Sequence, residues 1–358
     1  MRKLKNIMIT GGAGFIGSNF IHYLFSKTEF EGIVVNVDKL TYAGNLENLL
    51  DIDKEYCNKR YFFERVDICD KEKIKIIFAK YKIDTIIHFA AESHVDRSIV
   101  GPFDFVMTNI VGTFNLLEVC REFWKNSDNV LFHHVSTDEV FGSLGESGYF
   151  SEDTPYDPKS PYSASKASSD HLVRAVNHTY KIPITISNCS NNYGGYQFPE
   201  KLIPLMILNI LEDKALPVYG NGKNIRDWLY VEDHSSAIWL IVNKGANGET
   251  YTIGGENEWE NIRLVNYLCE KIANIRGVDK DTYKRLICYV KDRPGHDMRY
   301  AIDCTKIKRD IGWKQEVDFS MGLSLTIKWY MENTKWIDQV RSGDYRKWIE
   351  QNYGDRKS

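Results

Sequence analysis

Over its first 190 residues the chain alternates short, β-branched apolar runs with longer stretches patterned at the helical period. Ile33-Val34-Val35-Asn36-Val37 is almost continuously apolar, as a strand buried on both faces must be. Residues 7–10, 61–66, 85–89, 130–136 and 184–188 read as further strands. Between them, 15–27 carries Ile16, Phe20, Ile21, Leu24 and Phe25 on one helical stripe. Residues 71–81, 104–123 and 162–180 also read as helices. Strand, helix, strand repeated in this way predicts a parallel sheet with right-handed crossovers. After residue 190, Pro199, Pro204, Pro217 and several glycines break the pattern.

The first loop of the series is Thr10-Gly11-Gly12-Ala13-Gly14-Phe15-Ile16-Gly17, between a strand and a helix. Gly11, Gly14 and Gly17 give a G-x-x-G-x-x-G spacing. Such glycines permit a tight turn, close approach to a pyrophosphate and a helix packed near the sheet. The helix N-terminus offers free N–H groups to phosphate. Asp38 ends the second strand, placed to accept hydrogen bonds from an adenosine ribose and to repel the extra phosphate of NADP. NAD is therefore the expected cofactor. Asp67-Ile68 follows the third strand and is placed to meet an adenine. Phe89-Ala90-Ala91-Glu92-Ser93 ends the fourth, with alanines small enough for the backbone to lie along a cofactor. The architecture expected is α/β: a Rossmann-type doubly wound parallel sheet over residues 1–190, with 228–254 returning to it. A smaller mixed C-terminal substrate domain takes 191–227 and 255–358.

Composition limits what else the chain can be. It has 358 residues and a net charge of −3, with no dominating block of one sign. That gives no footprint for nucleic acid. No stretch is read as the ~18 apolar residues of a membrane span. The basic start Met1-Arg2-Lys3-Leu4-Lys5 is followed by an apolar run too short for a signal peptide. Seven cysteines without a C-x-x-C argue against disulfides or structural zinc, and no metal site is expected. A cytoplasmic protein is expected.

Two further constellations carry chemistry. Tyr162-Ser163-Ala164-Ser165-Lys166 puts a phenol and an ammonium on one helical face. A tyrosine is a poor base at neutral pH, and a nearby ammonium, with a nicotinamide cation, is expected to favour its phenolate. Tyr23, Tyr219, Tyr267 and Tyr353 also have a lysine four residues on. Tyr162 differs in following the strand that ends Ser136-Thr137-Asp138-Glu139. Ligands sit at strand C-termini in such sheets. Hydride transfer alone needs no paired carboxyls there; removing a proton and expelling water needs one protonated and one ionised. A polar turn capped by Asp138 is the competing reading. His133 and His134, on opposite faces of the strand, are assigned no catalytic role.

The chain resembles the extended short-chain dehydrogenase/reductase superfamily, and more closely the dTDP-glucose 4,6-dehydratases. The resemblance rests on G-G-A-G-F-I-G (11–17), D-K-L-T-Y-A-G-N (38–45), H-F-A-A-E-S-H-V-D-R-S (88–98), S-T-D-E-V-F-G (136–142), Y-S-A-S-K-A (162–167), N-N-Y-G-G-Y-Q-F-P-E-K-L-I-P-L (191–205), R-D-W-L-Y-V-E-D-H (226–234) and D-R-P-G-H-D (292–297). It implies that Tyr162 takes the proton from sugar O4, Thr137 hydrogen-bonds near O4, Glu139 removes the C5 proton and Asp138 protonates the departing C6 hydroxyl. Lys166 completes the catalytic set. It adds Phe15, Ile16, Lys39, Thr41, Ser93, Thr108 and Asn192 to the cofactor contacts. Ser93, Thr137 and Asn191 are implied to meet the sugar or phosphates. Lys201, Arg226, Arg293 and His296 would hold the pyrophosphate and its ribose, Tyr219 would stack on the base, and Leu202, Pro217 and Asn261 would line the nucleotide site. A homodimer is implied, with the helices at 104–123 and 162–180 at its interface. Two departures stand out: Gly195 replaces a usual proline and is expected to loosen its loop, and Met298 replaces a usual arginine.

Three alternatives stay open at this point. One is a nucleotide-sugar 4-epimerase, which needs Tyr162 and Lys166 but neither carboxyl. The others are a 4,6-dehydratase for a UDP-, CDP- or GDP-sugar, and a non-catalytic NAD(H) sensor.

Overall fold

The structure, a computed structural model, describes residues 2–341 except 126 and 128. Tyr353 and the 342–358 end of the expected second domain lie outside the described residues. Six strands open the chain: β1 Asn6–Thr10, β2 Ile33–Asp38, β3 Tyr61–Arg65, β4 Thr85–His88, β5 Leu131–Thr137 and β6 Ile184–Cys189. Then come β7 Asn191–Tyr193, β8 Leu216–Tyr219, β9 Ile225–Tyr230, β10 Thr250–Ile253, β11 Glu258–Glu260 and β12 Ile287–Val290.

The main sheet runs β10-β6-β5-β4-β1-β2-β3, and every pair in it is parallel. The order reverses beside β1, leaving a crevice outside the strand C-termini. Helices cover both faces. On one, Ile74, Ile77 and Phe78 join Leu116, Leu117 and Val173 over Met8, Val35 and Phe132. On the other, Phe20, Ile21 and Leu24 join Ile238 and Val242 over Ile7, Ile9 and Val34. The α/β, Rossmann-type reading holds. β10 brings Thr250–Ile253 to the sheet edge beside β6, whereas Trp228 to Tyr230 lie in a separate three-stranded sheet, β11-β9-β7. Ile302, Ile307, Ile311 and Trp313 pack against Ala237, Ile241 and Tyr251, not within the smaller domain. That domain has its own core, built from Ile203, Met206, Val218, Leu264, Leu268 and Leu323.

The predicted helix at 104–123 runs over Pro102–Phe123, and by length and composition it is apolar enough to cross a membrane. That corrects the reading that no such stretch exists. Half of it is buried, and its Leu116, Leu117 and Cys120 lie in the sheet core. Val106–Gly112 within it is a π-helical turn, a distortion common at functional sites.

Gly195 does not leave its loop loose. A Cβ there would lie 2.9 Å from the Trp329 indole, so the ring fills the space that a side chain would take. Trp329 packs edge-on to Tyr196 and Trp336, and the Gly195 carbonyl accepts from Asn19 Nδ2 at 3.0 Å. Met298 is exposed; its carbonyl accepts from Ile225 N at 2.7 Å.

Candidate active site

A cleft lies across the C-terminal ends of β1, β2, β4 and β5. Its wall includes Gly11, Gly14, Phe15, Ile16 and Gly17 from the first turn and helix, and Asp38, Lys39 and Thr41 after β2. Asp67, Ile68, Phe89, Ala90, Ala91, Ser93 and Thr108 continue it, and Asn191, Asn192 and Lys201 close the far side. Thr137, Asp138, Glu139, Tyr162 and Lys166 stand in the same wall.

The glycine turn has no room for side chains. A Cβ on Gly11 would lie 2.6 Å from Ala90 N, and one on Gly17 2.4 Å from the Gly11 carbonyl. Gly11 also has φ +71°, in the left-handed region. The helix Phe15–Lys27 therefore starts flush with the strand end, and its first N–H groups face the cleft. Asp38 Oδ2 accepts from Ala13 N at 3.1 Å and Oδ1 from Leu40 N at 2.8 Å. Each oxygen keeps a lone pair for a ribose hydroxyl. Lys39 Nζ reaches Asp67 Oδ2 at 3.5 Å and Thr108 Oγ1 at 3.4 Å, drawing the adenine end together. This cradle fits a dinucleotide without a 2′-phosphate.

The helix Pro161–Tyr180 begins with a reciprocal Ser160–Ser163 capping box and Pro161 in its first turn. That start is worth about 1 kcal/mol and fixes Tyr162 in the first turn, where the helix dipole favours an anion. Lys166 follows one turn later, buried. Its Nζ donates to the Val135 carbonyl at 2.9 Å and lies 3.3 Å from His134 Nε2. Burial pulls Lys166 down to about 8. The Tyr162 phenol answers first to burial. Burial and the nearby Glu139 carboxyl push it well above its ordinary value, and the hydroxyl of Thr137 is the neighbour that pulls it down. Protein groups alone thus leave Tyr162 protonated; a cationic ligand must help it to ionise.

The two carboxyls differ as a proton donor and acceptor should. Asp138, buried at 2 % exposure, is pushed well above the carboxylate range by burial, then by Glu139 and Asp227. Its Oδ1 accepts from Thr137 Oγ1 at 3.2 Å, while Oδ2 has no hydrogen-bond partner among the described residues. Glu139 is partly open to the cleft. Burial raises it too, but Arg293, Lys201 and Arg226 oppose the rise. Asp138 carries a proton, while at Glu139 the three cations oppose the upward push of burial. One consequence concerns stability. Between the unfolded value, about 3.9, and the raised folded one, only the folded chain keeps this proton. The associated stability is full below that window and lost as pH rises through it. Asp138→Asn is therefore expected to gain in melting temperature over wild type on going from pH 5 to pH 8, while losing activity. Thermal melts at both pH values check this; a constant difference would refute it.

Leu202, Pro217, Tyr219, Arg226, Asn261, Arg293 and His296 are not in the wall of this cleft. They form a neighbouring cluster, joined to it through Glu139 and Asp96. Tyr219 OH donates to Asp96 Oδ2 at 3.0 Å, and Arg293 Nη1 lies 3.6 Å from Asp96 Oδ1. The rings of Tyr219 and His296 meet edge to face at 6.0 Å. Arg226 lies over the Tyr300 ring and donates to the Asp297 carbonyl at 2.9 Å. Asn224 Nδ2 donates to the same carbonyl, and Asn224 O accepts from Asn261 N. Pro217 shares β8 with Tyr219, and Leu202 opens the helix after Lys201. Lys201 Nζ donates to the Ser93 carbonyl at 3.0 Å.

Some site residues were not foreseen. Asn109, in the π-helical turn, bonds both backbone groups of Glu92 and donates to Ser165 Oγ at 2.8 Å. Half-buried Tyr42 and Arg97 and buried Glu200 form a clasp at the cleft edge. Tyr42 OH donates to Glu200 at 3.0 Å, and Arg97 lies over the Tyr42 ring at 3.8 Å. Neither group has a spacing that sequence reading can detect. Among the described residues no group of His, Cys, Asp and Glu could hold a metal ion.

The family model for GDP-mannose 4,6 dehydratase matches residues 8–326. The chain is similar to the dTDP-glucose 4,6-dehydratase 1 of Escherichia coli (strain K12), with 54% identity covering 98% of this chain and 99% of that protein. The dTDP-glucose 4,6-dehydratase of Neisseria meningitidis is 53% identical, covering 96% and 98%. A Bacillus anthracis dTDP-glucose 4,6-dehydratase solved in complex with NAD superposes with a TM-score of 0.83 at 43% identity, covering 94% and 99%. A Thermotoga maritima UDP-glucose 4-epimerase is more distant, at 28% identity and a TM-score of 0.80 over 92% and 99%.

Proposed function

The chain belongs to the GDP-mannose 4,6 dehydratase family and, within it, to the dTDP-glucose 4,6-dehydratases, and from that membership we propose how its own residues carry the reaction. It is a hydro-lyase that converts dTDP-glucose to dTDP-4-keto-6-deoxyglucose and water, with NAD as cofactor. Bound NAD supplies the oxidant for C4 and later the reductant for C6, so it ends unchanged.

Tyr162 takes the O4 proton while Thr137 holds O4. The C4 ketone acidifies the C5 proton, which Glu139 removes. Asp138 gives its proton to the C6 hydroxyl, which leaves as water. A proton then returns to C5. Net loss is one water. The observation behind these roles is the Asp138–Glu139 pair. Two adjacent carboxyls, one deeply buried and one faced by three cations, suit elimination and have no task in a 4-epimerase. Lys201, Arg226 and Arg293 suit the pyrophosphate, because guanidinium forks and an ammonium match its oxygens.

Two further readings go with this. The protein works as a homodimer: Phe103, Phe114, Phe123 and Tyr180 leave apolar surface on the helices Pro102–Phe123 and Pro161–Tyr180. It works in the cytoplasm: all seven cysteines are free thiols, as a reducing compartment keeps them. Incubation with dTDP-, UDP-, CDP- and GDP-glucose tests the function. The dTDP sugar should give the 4-keto-6-deoxy product fastest. Faster conversion of another base would overturn the base preference, and a C4-inverted sugar would favour epimerisation.

A further inference from the structure

Behind Lys166 lies a polar cluster to which the reaction above assigns no task. At its centre is Asp170, fully buried and on the same helical stripe as Lys166 and Tyr162, four and eight residues on. Its Oδ2 accepts from Ser136 Oγ at 2.9 Å, Tyr156 OH at 2.8 Å and Asn188 Nδ2 at 3.4 Å. Its Oδ1 lies 3.2 Å from His134 Nε2. One carboxylate thus ties the helix to β5, to β6 and to the loop before the helix.

Two of these bonds lead to the reacting groups. Ser136 immediately precedes Thr137, and Asn188 Nδ2 also donates to the Thr137 carbonyl at 3.0 Å. The strand end that presents Thr137, Asp138 and Glu139 is therefore fixed from behind. The charge matters as well. A buried carboxylate is costly unless it is paired and hydrogen-bonded. Burial pushes Asp170 up, yet the neighbouring His134, the charge of Lys166 and the hydrogen bond from Tyr156 bring it below the usual carboxylate value. It stays ionised, and its negative charge is the first influence opposing the loss of the Lys166 proton. The other titratable groups around Lys166 are Tyr162 on its own helix, His134 on β5 with His88 behind it on β4, and Cys189 on β6. His88 and His134 are held neutral by burial, and burial pushes Cys189 up to about 12.

We propose that Asp170 is a positioning residue for this reaction: it fixes the end of β5 through Ser136 and Asn188, and supplies the buried negative charge that keeps Lys166 cationic one turn from Tyr162. Asp170 touches no reacting atom, so its influence passes through Lys166 and Thr137. The proposal rests on the reading of Tyr162 and Lys166 as the working pair. Wild-type protein inactive on every nucleotide sugar would sink that reading before any variant is made.

Asp170→Asn keeps the shape and removes the charge. Its kcat on dTDP-glucose at pH 8 should fall about 10–100-fold with KM within about twofold, the pattern of a lost transition-state contribution. The alkaline limb of its pH profile should move to lower pH, because Lys166 then loses its proton sooner. Asp170→Glu, which restores the charge, should bring the limb back. Wild-type kcat and pH profile in Asp170→Asn would overturn the proposal. So would a fall in kcat matched by a rise in KM with the limb unmoved, which is the pattern of a merely disturbed site. If Asp170→Asn does not fold, Tyr156→Phe removes one bond to the carboxylate from the protein's outer side. That variant should lose kcat severalfold at constant KM, and an unchanged kcat would overturn the proposal.

Discussion

Glu139→Gln is expected to give no measurable dTDP-4-keto-6-deoxyglucose, a fall in kcat of about 10³-fold or more, at the upper end of what a positioned base contributes. The amide keeps the side chain's size and removes the carboxyl whose rise on burial Arg293, Lys201 and Arg226 oppose. Affinity for NAD should not change, because the glycine turn and Asp38 are untouched. The decisive measurement is deuterium wash-in at sugar C5 from heavy water. Glu139→Gln should show none. Asp138→Asn should still exchange at C5 while failing to release water, since its defect falls one step later. Equal exchange in Glu139→Gln and wild type would remove Glu139 from the base role.

Tyr162→Phe is expected to fall by a similar factor, about 10³-fold, but at an earlier step. Without a phenol to take the O4 proton no C4 ketone forms, and without the ketone the C5 proton is not acidic. Product and C5 exchange should vanish together, unlike in Asp138→Asn. The ring itself packs edge-on against Phe105 at 6.2 Å, so Phe should keep the local packing and leave KM close to wild type. Persistent C5 exchange in Tyr162→Phe would show that another group accepts the O4 proton.

The main sheet was legible because strands buried on both faces must be apolar throughout, as Val34, Val35 and Val37 are. The short strands β7, β8, β11 and β12 were not. Three or four residues carry no period, and Pro217 sits inside β8. The π-helical turn was hidden for a related reason: one extra residue per turn shifts the register without breaking an apolar stripe. Within the site, the glycines, Asp38 and the Tyr162–Lys166 pair announce themselves because their chemistry needs fixed local spacing. The Tyr42–Glu200 bond joins residues 158 apart, and no local rule reaches that far. What sets the Tyr162 phenol in the protein alone was not legible from the Tyr162–Lys166 spacing. The ammonium turns to the Val135 carbonyl and His134, so desolvation and Glu139 dominate the phenol.

The seat of Trp329 on Gly195 has a consequence for how this chain can vary. Any residue with a β-carbon at 195 must evict the indole, and the indole also packs on Tyr196 and Trp336. Positions 195 and 329 are therefore expected to behave as an epistatic pair: a proline at 195 should be deleterious here unless Trp329 is first replaced by a smaller residue. A change at 195 alone would pass through a disfavoured intermediate, so a change at 329 should have to come first.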